Sequence, residues 1–300
     1  MNKLIVILGP TASGKSDLAV QLSLFLKKKL KKEVEIISAD SRQVYQKMNI
    51  GTGKITKKEM RGIPHHLLDI VSPKTKFSVA QYQKKAHKKI DEIFKKNRLP
   101  IVVGGTGFYI QSITDGLIIP QVKPNWQLRK KLEKKSVNEL YKILKKIDQE
   151  RAKKIDNKNP RRLIRAIEIV TTSKKPVPKS KITPPPYQIL IIGLEKSKSE
   201  LKKLIRKRLI QRLNKGMVRE VKKLKKNGLS WKRLEDLGLE YRWLALYLQK
   251  KISYQEMVGS LERAIIQFSK RQITWFKRDH RIHWIKNYQE VKMKINTFLK

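Results

Sequence analysis

The 300-residue chain contains no cysteine, which excludes a disulfide framework, a thiolate metal centre and a thiol nucleophile. Its five histidines show no ligand spacing of the HExxH kind, so any metal is expected to be held by oxygen and phosphate. Long apolar runs are also missing. Nothing approaches the roughly 20 residues that span a bilayer. The opening Leu4-Ile5-Val6-Ile7-Leu8 is too short, and too soon followed by glycine, for a signal peptide. A soluble, cytoplasmic monomer with no membrane partner is the expectation.

Acidic residues are scarce: 25 Asp and Glu stand against 71 Lys and Arg, a formal net charge of +46. Such a field attracts polyanions and makes their binding salt-dependent. Nucleic acid is the obvious partner class. Lysine clusters such as Lys27-Lys28-Lys29, Lys145-Lys146 and Lys222-Lys223 fall at solvated helix positions, however, and read equally well as a coding bias. Charge alone therefore supports nucleic acid only weakly. The 39% apolar content suffices for a substantial core, which excludes disorder throughout.

Residues 3–8 form an apolar run ending in glycine, and residues 16–32 place Leu18, Leu22, Phe25 and Leu26 at helical spacing. This strand, turn and helix predict a parallel α/β sheet. Residues 34–37 and 100–105 predict further strands, with a helix at 79–94 between them. In such sheets the functional loops follow the carboxyl ends of the strands, and all three strands deliver polar or glycine residues there. After about Gly116 the texture changes to lysine-rich helical segments, from Trp126 to about Ser173, closed by Pro176, Pro178 and Pro184-Pro185-Pro186. Residues 187–194 return as a buried strand, and a helical half follows at 199–226, 241–250 and 253–277. The predicted organisation is a P-loop-type core at 1–118 and 186–300 with an all-helical insertion at 119–185.

Gly9-Pro10-Thr11-Ala12-Ser13-Gly14-Lys15-Ser16 fits GxxxxGK[ST] in the strand-to-helix context that motif requires. Its glycines let backbone N–H groups turn inward on a phosphate, at a helix start whose dipole favours the anion. Lys15 would neutralise phosphate charge and Ser16 would hold Mg²⁺. Which phosphate ester is bound stays open. A nucleotide kinase is the natural first hypothesis, with Asp40 as a second carboxylate on the magnesium side. No nucleoside-binding signature supports it, and it leaves the helical insertion unexplained.

Reading on from the P-loop, the chain has Ser38-Ala39-Asp40-Ser41-Arg42-Gln43-Val44-Tyr45, Met48-Asn49-Ile50-Gly51-Thr52-Gly53-Lys54 and Pro64-His65-His66-Leu67-Leu68-Asp69. Gly104-Gly105-Thr106-Gly107-Phe108-Tyr109 follows, then Asn159-Pro160-Arg161-Arg162-Leu163-Ile164-Arg165-Ala166. Gly238-Leu239-Glu240-Tyr241-Arg242 and Lys270-Arg271-Gln272-Ile273-Thr274-Trp275-Phe276 complete the set. In this order, over about residues 3–280, they resemble the tRNA dimethylallyltransferase (isopentenyltransferase) family. The resemblance implies a P-loop-like core with an inserted helical domain. It also implies transfer of a dimethylallyl group from dimethylallyl diphosphate to the exocyclic amine of the adenosine beside the anticodon.

The partner is then tRNA, through its anticodon stem-loop, and the P-loop residues Gly9 to Ser16 hold a diphosphate with Mg²⁺ as cofactor. Allylic C–O cleavage builds negative charge on the diphosphate, so cations and N–H donors should converge there. The weakly nucleophilic amine needs an acceptor for its proton. Asp40 matches the family's base, although a lone Asp after a strand also reads as a turn aspartate. Thr106 matches a residue near amine and diphosphate. Arg208, eight residues before Gly216, matches a diphosphate clamp, with Arg206 and Arg212 as competing neighbours.

For tRNA the matching positions are Asp40, Ser41, Arg42 and Gln43 at the reactive base, then Arg129, Arg161, Arg162, Leu163, Ile164 and Arg165 in the insertion. The target base must be single-stranded or flipped out, and Gln43 suits an adenine edge. Leu163, Ile164 and Ile167 lie at helical spacing and also read as packing. Tyr241, Trp243, Trp275 and Phe276 read as core, and His65 and His66 as structural. Two positions depart from the family pattern: Ile266, where arginine is common, and Leu204, where a basic or polar residue is common. Adenylate isopentenyltransferases, which share the core and prenylate free nucleotides, remain an alternative, as does a purely nucleic-acid-binding module.

Overall fold

The computed structural model describes residues 2–120, 122–178 and 183–300. The first part of the chain runs β1 (Lys3–Leu8), α1 (Lys15–Leu30), β2 (Val34–Ala39), α2 (Lys57–Met60), β3 (His65–His66), α3 (Val79–Lys95), β4 (Leu99–Gly104) and α4 (Gly107–Thr114). Four helices follow: α5 (Trp126–Leu132), α6 (Val137–Ile147), α7 (Gln149–Lys154) and α8 (Pro160–Ser173). The last part comprises β5 (Gln188–Leu194), α9 (Lys198–Asn214), α10 (Met217–Lys226), α11 (Trp231–Leu237), α12 (Leu239–Leu248), α13 (Tyr254–Phe276), β6 (Ile282–Ile285) and α14 (Tyr288–Leu299).

Among the described residues the strands form one sheet of order β3-β2-β4-β1-β5-β6, with every neighbour pair parallel. Strands buried on both faces need continuous apolar sequence, and β1 and β4 supply it. Alternate side chains serve opposite faces. Ile5, Ile7, Ile36 and Ile192 pack with Leu18, Leu22 and Leu26 of α1 and Val291 and Ile295 of α14. Val6, Leu8, Ile37 and Ile191 pack with Tyr82, Ile90 and Ile93 of α3 and Ile110 and Ile113 of α4. A further core joins Val44, Tyr45 and Met48, from the segment after β2, to helices α9 to α13. No helix among the described residues is long and apolar enough to cross a membrane.

The chain divides into two compact units, one of Met1–Thr114 with Pro185–Lys300 and one of Asp115–Pro184. The second carries helices α5 to α8 and has its own core of Leu132, Leu140, Leu144, Leu163 and Ile167. Its two ends meet: the Thr183 N–H donates to the Gly116 carbonyl at 3.1 Å. Gly116 lies at φ 57, and a methyl group there would reach 1.6 Å from that threonine's own carbonyl oxygen, so only glycine closes the base this tightly.

Several elements differ from the sequence expectation. Strands β3 and β6 extend the sheet at both edges, and α14 packs beside β5, in stretches too short or too charged to show a period. The helix expected over 199–226 is two helices, broken where Gly216 takes φ 93 as the N-cap of α10.

Candidate active site at the carboxyl ends of the strands

The P-loop leaves β1 at Gly9 and curls tightly, with the Ser13 N–H donating to the Pro10 carbonyl at 3.3 Å. A methyl group on Gly9 would lie 2.7 Å from Ser13 Oγ, so glycine is what permits the curl. Gly14, at φ 85, is the N-cap of α1 and offers no side chain to the first-turn N–H groups, which stay available to an anion. Space above Gly14 is open, since a methyl group there would meet nothing within 4 Å. Ser13 Oγ is buried without a hydrogen-bond partner among the described residues. The Ser16 side chain is exposed at the start of the helix. An open cradle of N–H donors, one ammonium, an unpaired buried hydroxyl and an accessible one fit a phosphate ligand and its cation.

Lys15 Nζ donates to the Pro10 carbonyl at 3.2 Å. Burial pushes its pKa down to about 8; Asp40 opposes this shift, and Arg208 and Arg212 add to it. Burial and the adjoining Arg212 likewise lower the Arg208 guanidinium to about 10, against the pull of Asp17, Glu240 and Glu59. Both groups remain cations at neutral pH and share one field. Arg208 is half-buried, while Arg206 is exposed to solvent.

Arg212, one helical turn beyond Arg208 and named from the sequence only as its competing neighbour, belongs to the same site. Its Nη1 donates to Glu240 at 3.0 Å and to the Gly51 carbonyl at 3.3 Å. A methyl group on Gly53 would strike Arg212 Nη2 at 2.0 Å and come 3.2 Å from Arg208 Nη2, so both guanidiniums press against this glycine. The segment carrying it is fastened by one carboxylate. Glu220 accepts the N–H groups of Asn49, Ile50 and Gly51 at 2.8, 2.7 and 3.0 Å and the Tyr241 hydroxyl at 2.9 Å. Lys54 Nζ, buried, ties Tyr45, Asn49 and Asp69 together. These motif residues build the walls of the site.

Beyond β2, Asp40 Oδ1 accepts the N–H groups of Arg42 at 2.8 Å and Gln43 at 3.2 Å. This is the aspartate turn of the simpler reading. It uses one oxygen, and Oδ2 has no hydrogen-bond partner among the described residues. Thr106, beyond β4, donates its N–H to the Ala39 carbonyl at 3.2 Å, and its Oγ1 accepts the Ser41 N–H at 3.0 Å. A methyl group on Gly104 would lie 2.2 Å from the Ala39 oxygen, so glycine lets the two strand ends meet. Asp40, Thr106 and Lys15 thus converge from three strand ends.

The RNA-facing candidates divide. Arg42 Nε donates to the Leu237 carbonyl at 2.7 Å, and Gln43 Nε2 to the Gly53 carbonyl at 3.3 Å, so both side chains also brace the turn. In the helical unit Arg161 and Arg162 are exposed. Arg129 and Arg165 instead hold Glu168, a carboxylate with no exposed side-chain surface. Arg129 bridges it through Nε and Nη2 at 2.7 and 2.6 Å, and Arg165 reaches it through Nη1 while binding the Val122 carbonyl. Leu163 and Ile164 are buried in the core of this unit, as the packing reading of their helical spacing expects.

Leu204 and Ile266, the two departures from the family pattern, pack against the core of the C-terminal helices. His66 pairs with Glu35, which also binds Arg98. Tyr241 and Phe276 are buried, and Trp243 and Trp275 partly so. Gln272 was named only within a motif. In the fold its Oε1 accepts the Thr11 N–H at 2.8 Å and its Nε2 donates to the Gly105 carbonyl at 2.7 Å.

The family described as IPP transferase matches residues 43–279. A tRNA dimethylallyltransferase of Acetivibrio thermocellus is 42% identical over 293 residues, covering 95% of this chain and 92% of that protein. The tRNA dimethylallyltransferase 1 of Syntrophus aciditrophicus is 41% identical over 309 residues, covering 100% and 99%. Among solved structures, a full-length tRNA isopentenylpyrophosphate transferase of Bacillus halodurans superposes with a TM-score of 0.72 at 34% identity, over 100% of this chain and 96% of that one. A eukaryotic dimethylallyltransferase acting on tRNA gives 0.80 at 25% identity, over 95% and 74%. With this breadth of identity and a matching parallel sheet, the chain belongs to the IPP transferase family of tRNA dimethylallyltransferases.

Proposed function

We propose that the protein transfers a dimethylallyl group from dimethylallyl diphosphate to the exocyclic amine of the adenosine next to the anticodon of a tRNA. Family membership supports the reaction, and one geometric relation carries it to these residues. The Oδ2 of Asp40, unpartnered among the described residues, tops a turn whose N–H groups hold Oδ1 and whose Ser41 N–H is fastened to the Thr106 hydroxyl.

The chemistry follows from that placement. The amine nitrogen bonds to the allylic carbon as the C–O bond breaks, and the electron pair leaves on the diphosphate. The N–H groups at the start of α1, Lys15, Arg208 and Arg212 stabilise that growing charge without reorganising. The amine sheds a proton as it becomes bonded to carbon, and Asp40 Oδ2 receives it. Asp40 Oδ1 stays committed to its turn, so the base is held by its own backbone. Thr106, its Oγ1 already accepting from Ser41, sits between cradle and base and orients both substrates. Mg²⁺, held through the Ser16 hydroxyl, would add positive charge to the leaving diphosphate. Arg161 and Arg162 give the helical unit an exposed pair of cations for RNA phosphates.

The test is incorporation of labelled dimethylallyl diphosphate into tRNA with Mg²⁺, with mass spectrometry of the modified nucleoside, beside phosphate release from ATP. Prenylated adenosine in tRNA is expected. Phosphate release alone would assign the P-loop to a kinase or NTPase, and preference for AMP over tRNA would assign the chain to free-nucleotide prenylation.

A further inference from the structure

Gln272 sits near the end of a 23-residue helix, 7% exposed, and joins two loops far from it in sequence. A buried polar side chain is costly unless both ends of its amide are satisfied. Here both are, and both partners are backbone atoms of the active site. The Thr11 N–H belongs to the P-loop, and the Gly105 carbonyl belongs to the peptide that leads into Thr106.

The fit leaves no slack. A methyl group on Gly105 would lie 2.5 Å from Gln272 Nε2, 3.4 Å from the Gly9 carbonyl oxygen and 3.5 Å from Lys15 Cε. The threonine turn is therefore stacked on the first glycine and the lysine of the P-loop, with the glutamine amide setting the spacing. One turn along the same helix, the Trp275 ring lies against Gly107, where a methyl group would meet Cδ1 at 2.3 Å. Helix α13 thus holds both sides of Thr106.

From this geometry we infer that Gln272 is a positioning residue for the transfer reaction: it registers the diphosphate cradle against the threonine turn that orients the acceptor. The inference rests on the prenyl-transfer reading for its catalytic consequence, though not for its effect on phosphate binding. A transfer between two bound substrates depends steeply on their separation, and a displacement of about 1 Å costs on the order of 100-fold in rate.

The experiment compares wild type with Gln272→Met, which keeps length and volume and loses both hydrogen bonds, in the full chain well below the melting temperature. Expected is a kcat on the order of 10- to 100-fold lower, together with a weaker calorimetric affinity for inorganic pyrophosphate, by about fivefold, and unchanged affinity for tRNA. A merely structural loss would lower the active fraction and leave pyrophosphate affinity per folded molecule at the wild-type value, which overturns the inference.

A second arm does not depend on Gln272→Met folding. Gly105→Ala should displace the amide and reproduce the defect, and adding Gln272→Ala, which makes room for the methyl group, should make matters no worse than Gln272→Ala alone. Independent, additive losses would refute the coupling. Pyrophosphate binding requires no transfer, so a wild-type protein that binds pyrophosphate and prenylates nothing overturns the proposed function. The Gln272 comparison is then still decided by affinity.

Discussion

Ser41 donates its backbone N–H to Thr106 Oγ1 at 3.0 Å, and this bond fastens the turn after β2 to the turn after β4. The two strands are parallel neighbours in register from Val34 with Leu99 to Ala39 with Gly104. The proposed base and the proposed orienting hydroxyl therefore leave the sheet side by side and cannot drift apart without breaking it.

Asp40→Asn should abolish transfer while sparing the fold. Asparagine keeps an Oδ1 acceptor for the Arg42 and Gln43 N–H groups, so the turn survives, and only the proton acceptor is lost. A fall of about 10²- to 10⁴-fold is expected in kcat, with wild-type tRNA affinity and thermal midpoint. Turnover close to wild type would remove Asp40 as the base.

The pH dependence follows from Lys15. Its pKa is lowered from 10.5 to about 8 in the folded protein, and the protonated form is the one that holds an anion. Apparent kcat/KM for dimethylallyl diphosphate should therefore fall as pH rises through about 8. Stability without ligand moves the other way. The penalty for burying the charge is fully present below pH 8 and is relieved between 8 and 10.5, where the unfolded chain binds the extra proton. Steady-state kinetics and thermal melts from pH 6.5 to 10 give both curves, and parallel losses in the two would rule out this origin.

In the helical unit, Arg161→Gln with Arg162→Gln should weaken tRNA binding and reduce the slope of log affinity against log salt by about 1.4–1.8 in total. Arg165→Gln should act differently. It leaves buried Glu168 short of a charged partner and should destabilise the unit by roughly 1.5–3 kcal/mol. Its effect on the salt slope should be smaller than that of the exposed pair. An unchanged slope in the double variant would mean that Arg161 and Arg162 do not face RNA phosphates.

Ser16→Ala should raise the Mg²⁺ concentration needed for half-maximal transfer, while Ser16→Thr, which keeps the hydroxyl, should stay close to wild type. Titrating Mg²⁺ against single-turnover transfer checks this. A half-saturation point unaffected by the alanine assigns the cation to other ligands.

Much of this site was legible in the sequence because its parts are local. The P-loop, the aspartate after β2 and the glycine-threonine turn after β4 each lie within a few residues of a strand whose apolar run is unmistakable. What escaped depends on distance or on sign. Gln272 lies 261 positions from Thr11, and nothing in a helix of mixed character announces which polar residue turns inward. Glu168, inside an amphipathic helix, gives no hint that it is buried, so nothing in the sequence shows that Arg129 and Arg165, matched to tRNA-side positions, also hold a buried carboxylate. Among Arg206, Arg208 and Arg212 the spacing could not say which face the cradle. Strand β3 has two residues and β6 four, below the length at which alternation can be read.

The clasp at Gly116 and Thr183 has a consequence for the protein's modularity. Because the Thr183 N–H to Gly116 carbonyl bond joins the ends of the helical unit, its two stems lie side by side where it departs and returns. A loop whose ends already touch adds little conformational penalty as it lengthens, since closure entropy grows only with the logarithm of length. The unit is thus placed as a cassette: enlarging, trimming or exchanging it at that doorway should leave the strand order of the phosphate-binding sheet intact.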